Sequence, residues 1–287
     1  FLILNITVFL LYLFLFNKDN YFDIFLKKRK LFLIIFSLFG LYGLGFLDDK
    51  FNINPWTKLA ATSFFLLAVM LADNLLIIEI LYFKFPNHIT QVTLDNLSIF
   101  FTLICFIAYL NAVNMFDGIN LQIGSYSLII SAYLISQSIF SELNFVLVIS
   151  LIPFLILNFQ NKVFIGNSGA SIIAFIYGFQ FIKGYNTGII EIDEIIILNY
   201  LMGLDLIRVF ILRITKGRNP LIADKSHIHH LLIKKFNYNK VILINILLII
   251  LPIVFSIIYP NNWTILSAFI LFYFILIYYV GKSDKSI

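Results

Sequence analysis

Long, uninterrupted apolar runs govern what this chain can become. They fall at roughly 1 to 16, 31 to 47, 59 to 82, 97 to 113, 121 to 140, 143 to 157, 168 to 183, 194 to 212, 241 to 259 and 263 to 280. Each is long enough, or nearly so, to cross a hydrocarbon layer about 30 Å thick. In lipid the backbone has no water to bond, so such runs must form helices or a closed barrel. The runs are continuous rather than alternating, which selects helices. Of the 287 residues 61% are hydrophobic and 12% charged, more apolar surface than one water-soluble core can hide. The expectation is an all-α polytopic membrane protein with about ten transmembrane helices. No linker or soluble domain separates the runs, so residues 1–287 read as one integral membrane domain. The chain starts at Phe1 inside an apolar run, which predicts a truncated N-terminus and does not read as a signal peptide. A lone Cys105 excludes an internal disulfide.

The charges orient the bundle. Between residues 213 and 240 stand Arg213, Lys216, Arg218, Lys225, Lys234, Lys235 and Lys240 against a single acid, Asp224, which assigns this segment to the cytoplasm. Counting spans backward puts 158 to 167, 111 to 120 and 48 to 58 on the same side. One segment conflicts: Asn17 to Lys30 carries Lys18, Lys27, Lys28, Arg29 and Lys30, yet the count places it outside. Topology and attraction to anionic lipid account for the net charge of +5, and no nucleic-acid partner is expected.

Polar residues gather at the ends assigned to one face. Asp48 and Asp49 sit where an apolar helix runs out, at the negative end of its dipole, so they are not caps of that helix. A divalent cation would relieve their repulsion; two solvated acids at a helix end are the plainer alternative. Gly40, Gly43 and Gly45 allow close helix packing beside them. Asn111, Asn114 and Asp117 recur at i, i+3 and i+6, one polar stripe that would face a cavity unless Asp117 simply turns the chain with Gly118. The turn at Gly166, Asn167, Ser168 and Gly169 opens an apolar helix, whose free N–H groups can cradle phosphate or be capped by Asn167 or Ser168. His227, His229 and His230 cluster in the basic loop, a pattern able to contact phosphate, ligate metal or move protons. Asp205 and Arg208 read as an intramembrane ion pair, with a site role open.

Taken in order, LDDK, NAVNMFDGIN, FIGNSGAS and HIHH resemble the polyprenyl-phosphate N-acetylhexosamine-1-phosphate transferase family over roughly residues 31 to 240. The resemblance implies transfer of a sugar 1-phosphate, such as GlcNAc 1-phosphate, from a UDP-sugar to undecaprenyl or polyprenyl phosphate. UMP is released, in the first membrane step of cell-envelope polysaccharide synthesis. It further implies an active site facing the cytoplasm at a bacterial inner membrane, Mg²⁺ as cofactor with Mn²⁺ as a substitute, and leaves a homodimer open. By the same resemblance Asp48, Asp49, Asp117, His227, His229 and His230 are catalytic, and Asn111, Asn114, Asn158 and Arg218 bind substrate. Asp48, Asp49, Asp117 and Asn167 would hold the metal. Two departures stand out: Asn120 where the family has a second Asp, and Asn167 where it has the Asp of its Gly-Asp turn. They leave a lipid-linked-sugar binder without turnover as one rival. A secondary transporter is the other, although its site should lie near mid-bilayer.

Overall fold

In the computed structural model, which describes residues 21–220 and 225–281, every apolar run that falls among those residues carries a helix. The run at 1 to 16 and Asp224 lie outside them. In chain order the helices are α1 (Tyr21–Phe51), α2 (Pro55–Met70), α3 (Ser98–Phe116), α4 (Gln122–Ser136) and α5 (Ser141–Phe159). They continue as α6 (Gly166–Asn186), α7 (Ile192–Thr215), the short α8 (Ile228–Lys235), α9 (Tyr238–Ile258) and α10 (Asn262–Gly281). Among the described residues six are long and apolar enough to cross a membrane: α1, α3, α5, α7, α9 and α10. Helix α6 sits at the centre, with nearly every residue from Ser168 to Ile182 buried.

Local chemistry sets the boundaries. Asn54 caps α2 by accepting the Trp56 N–H, and Pro55 occupies the first turn, where a missing N–H costs nothing. A reciprocal pair, Glu191 and Glu194, starts α7. Asn237 accepts from the Lys240 N–H at the head of α9.

The segment expected to span 59 to 82 departs from that reading. Helix α2 stops at Met70, and Asp73 caps a 3-10 turn at Asn74–Leu76. The chain then turns into an antiparallel hairpin, β1 (Ile80–Phe85) paired with β2 (His88–Thr93) from Ile80↔Thr93 to Phe85↔His88. Its residues are mostly β-branched or aromatic, and Pro86–Asn87 makes the turn. The apolar character carried across residue 80 while the period changed from helical to alternating.

The hairpin marks the end of the bundle opposite the acidic motifs. The Tyr185 hydroxyl there accepts from the Tyr82 N–H and donates to the Ile80 carbonyl, Lys84 pairs with Glu191, and Trp263 donates to the Lys84 carbonyl. Buried Asp73 lies at this end too, 3.2 Å from Lys30 and 3.9 Å from Lys183. The start of α1 is therefore at the hairpin end, as the span count requires. Lys30, one of the five basic residues that conflicted with the charge rule, pairs here with Asp73, while Lys18 lies outside the described residues.

Candidate active site

Gly45 determines how α1 meets α6. A Cβ at Gly45 would stand 2.6 Å from the backbone nitrogen and Cα of Ser168, so only glycine lets the start of α6 rest on α1. Asp49 follows one turn later on the same face. Its Oδ1 accepts the Asn167 N–H at 3.1 Å, and its Oδ2 lies 2.9 Å from where a Cβ on Gly166 would be. Gly166 has φ +64°, so both its conformation and its neighbour require glycine. Gly40 also permits a close approach, to the Phe65 ring, whereas Gly43 has nothing within 4 Å and plays no such part. Asp48, about 100° around the helix, turns the other way. Its carboxylate accepts the Ile53 N–H at 3.0 Å and meets Lys58 of α2 at 2.6 Å. Two neighbouring acids thus enter different environments.

Asp117 reaches the same α6 start from α3. It is the residue on which α3 ends, and its carboxylate lies close enough to the Gly166 backbone and to Asp49 for both to act on its proton affinity. The start of α6 thus has the Asn167 amide bonded to Asp49 and Asp117 close beside it, where the dipole favours negative charge. Neither Asn167 nor Ser168 supplies a side-chain cap. Burial first, and then the Asp49 carboxylate, push Asp117 up to about 7 against the opposing pull of the Gly166 N–H. Among the described residues neither Asp49 nor Asp117 forms an ion pair with Lys or Arg.

The loop after Asp117 is fastened by amides. Asn158 is buried; its Oδ1 accepts the Leu121 N–H at 2.6 Å, and its Nδ2 donates to the Val163 carbonyl at 2.7 Å and to Asn120 at 3.3 Å. Asn120 donates in turn to Asn161 at 2.6 Å. Leu121 and Asn161 both have left-handed φ, 68° and 58°, a conformation this lacing sustains. Asn158 thereby joins the Asp117 turn to the loop leading into α6, with its amide committed to protein partners.

The histidines close the other side. A Cβ on Gly118 would stand 1.8 Å from His229 Nε2, so the absence of a side chain there is what seats the ring against the Asp117–Gly118 turn. His229 lies parallel to His227 with centroids 5.8 Å apart, and 4.2 Å from His230. Burial, then the rings of His230 and His227, push His229 down to about 3 against the pull of Asp205, so the ring is neutral at neutral pH. His227 Nδ1 lies 2.7 Å from Asp205 Oδ2.

The structure thus gathers Asp48, Asp49, Asp117, Asn158, Asn167, His227, His229 and His230 at one end of the bundle. Three expected residues sit differently. Asn111 donates back to the Ile107 carbonyl of its own helix, Asn114 makes no side-chain hydrogen bond among the described residues, and Arg218 is exposed in the loop after α7. The polar stripe on α3 is not one continuous wall. Lys58 escaped the sequence reading; its signal was a cation in the first turn after Pro55, facing the end of the preceding helix. Tyr273 escaped it too, since its partners lie 65 and 68 residues away.

A divalent cation suits the donor set at Asp49 and Asp117: two converging carboxylates, one of them raised by burial and by the other, met only by backbone dipoles. Among the described residues no three His, Cys, Asp or Glu side chains gather into a metal cage. Mg²⁺ is commonly held by one or two carboxylates, with substrate phosphates and waters completing its shell. An apolar cavity of about 530 Å³ lies among α4, α5 and α6, bounded toward this end by Val163, Phe164 and Ile165.

Residues 31–185 match the family described as glycosyl transferase family 4. A Haemophilus influenzae protein, undecaprenyl-phosphate alpha-N-acetylglucosaminyl 1-phosphate transferase, is 26% identical over 282 residues, covering 90% of this chain and 77% of the relative. Proteins of that name from Salmonella typhi and Escherichia coli K12 are 25% and 27% identical over 244 and 206 residues. Those alignments span 64% and 55% of the relatives' own lengths.

Proposed function

This chain belongs to glycosyl transferase family 4, and we propose that it transfers a sugar 1-phosphate, GlcNAc 1-phosphate or another N-acetylhexosamine, from a UDP-sugar to a polyprenyl phosphate. The observation that carries the proposal is the convergence of Asp49 and Asp117 on the start of α6, with the histidine cluster packed against the Asp117–Gly118 turn. The names of the relatives support the substrate class.

In the reaction an oxygen of the lipid phosphate attacks the sugar-bearing phosphorus, the bond from that phosphorus to the bridging oxygen breaks, and UMP leaves with the bond's electrons. Two anions must meet, so charge control is the first requirement. Asp49, Asp117 and the Asn167 carbonyl are the groups that would hold Mg²⁺ or Mn²⁺. The bound ion would neutralise diphosphate charge and polarise the phosphorus. Asp48, held by Lys58, fixes the end of α1. His230, Arg218 and the doubly protonated form of His227, whose Nδ1 proton is held by Asp205, supply donors for phosphate oxygens. No side chain need act as general base, because a phosphate monoester loses its second proton near pH 6. The cavity beside Val163–Ile165 receives the first isoprene units, each buried CH₂ contributing about 0.8 kcal/mol. The excess of basic residues between 213 and 240 supports a cytoplasmic orientation for the site end.

The decisive assay measures UMP release by purified protein from a panel of UDP-sugars, with mass spectrometry of the lipid product. Release that needs both polyprenyl phosphate and a divalent ion is expected. Sugar-lipid binding with no release under any condition would make this a binder, and uptake of a solute without UMP formation would make it a transporter.

A further inference from the structure

Asp205 of α7 is 2% exposed and lies within a membrane span, yet it is not simply half of a local ion pair. Its Oδ1 accepts from Arg208 at 2.7 Å, from the Tyr273 hydroxyl of α10 at 2.8 Å and from the Ile228 N–H at 3.2 Å. Its Oδ2 meets His227 Nδ1 at 2.7 Å. Arg208 Nε donates to the Tyr273 oxygen at 2.8 Å, and the same guanidinium reaches the Ser226 carbonyl at 2.6 Å. The residues on both sides of His227 are therefore tied to one cluster, and so is one nitrogen of its ring. The other nitrogen, Nε2, makes no hydrogen bond among the described residues. Tyr273 is fully buried and comes from a helix that otherwise contributes nothing to the acidic motifs.

We propose that Tyr273 and Asp205 are positioning residues for His227, with α10 acting as a brace for the histidine loop. A carboxylate at Nδ1 fixes both ring orientation and tautomer, which leaves Nε2 as the nitrogen that meets the substrate. Tyr273 holds that carboxylate on its second oxygen, supplying a neutral donor that shares Oδ1 with Arg208. Ion pairing inside a span would be met by Arg208 alone. The further bonds to Tyr273, Ile228 and His227 all bear on the loop. The role for Nε2 rests on the transferase reading above.

The test is a double-mutant cycle on turnover using Tyr273→Phe, which removes one hydroxyl and keeps the ring, and His227→Ala. Tyr273→Phe is expected to lower kcat/KM about tenfold in the otherwise unchanged protein and less than twofold beside His227→Ala, because its effect runs through His227. A tenfold loss in both backgrounds, or none in either, overturns the proposal. A second measurement is independent of activity. The chain has four histidines, so ¹⁵N-histidine NMR of the wild type can be assigned by single substitutions. His227 should carry its proton on Nδ1, and Tyr273→Phe should make that signal heterogeneous. A wild-type His227 protonated on Nε2 alone sinks the brace even if Tyr273→Phe does not fold. Absence of UMP release from every UDP-sugar would remove the transferase reading, while the NMR result would still decide the positioning.

Discussion

Asp117→Asn should make the empty protein more stable and the enzyme inactive. The carboxyl is raised from 3.8 to about 7. At about 1.4 kcal/mol per tenfold change in proton affinity, ionising it in the folded chain costs roughly 4 kcal/mol. Because the folded-state value is the raised one, this cost is fully present above about pH 7. It fades as pH falls and is gone below about pH 4, where Asp117 is protonated folded and unfolded alike. Asn keeps the shape but never ionises. Thermal unfolding in detergent without divalent ions, followed by tryptophan fluorescence, should show Asp117→Asn several degrees above wild type at pH 8. The gap should narrow by more than half at pH 5. Added Mg²⁺ should raise the wild-type midpoint at pH 8 and leave the variant's nearly unchanged, while turnover falls at least about a hundredfold. Equal midpoints at pH 8, or a gap indifferent to pH, would refute the raised carboxyl; wild-type turnover in the variant would remove Asp117 from the site.

Gly45→Ala places a methyl 2.6 Å from backbone that cannot yield, so α1 must withdraw from α6 by nearly an ångström. A loss of about 1–3 kcal/mol in stability and about a hundredfold in turnover is expected, and retention of full activity would show that α6 does not index Asp49. Asn167→Asp restores a charge beside Asp49 and should lower the Mg²⁺ concentration giving half-maximal rate; an active enzyme whose Mg²⁺ dependence does not move would take Asn167 out of the ion's shell. Cysteines at Asn54 and Lys225, in a chain with Cys105 replaced, should resist an impermeant thiol reagent applied outside intact cells. Labelling of either from outside would end the shared cytoplasmic face.

Helix placement was legible because long apolar runs in lipid have few options, and the four motifs share one end because short connections alternate helix direction. What a linear reading does not supply is azimuth. Asp48 and Asp49 look equivalent in the chain, but a 100° step sends one to Lys58 and the other to the start of α6. The i+3 spacing of Asn111, Asn114 and Asp117 suggested a wall, yet Asn111 folds back on Ile107 and Asp117 lies just past the helix. The hairpin was hidden because its apolar content continues that of α2, and only the change of period and the Pro86–Asn87 turn betray it. Asp205 showed its local partner, Arg208, but not Tyr273 or His227, which only tertiary packing brings near.

The two carboxylates that share the head of α6 come from residues 49 and 117 of a helix that begins at 166. During synthesis, α1 and α3 therefore enter the membrane well before the start of α6 exists. Until then Asp49 lacks the amide that it accepts from in the finished fold. Contacts of such long sequence separation form late and slowly. The site can therefore be complete only after α6 has been made. A chain ending before residue 166 would hold both acids without the amide that Asp49 binds.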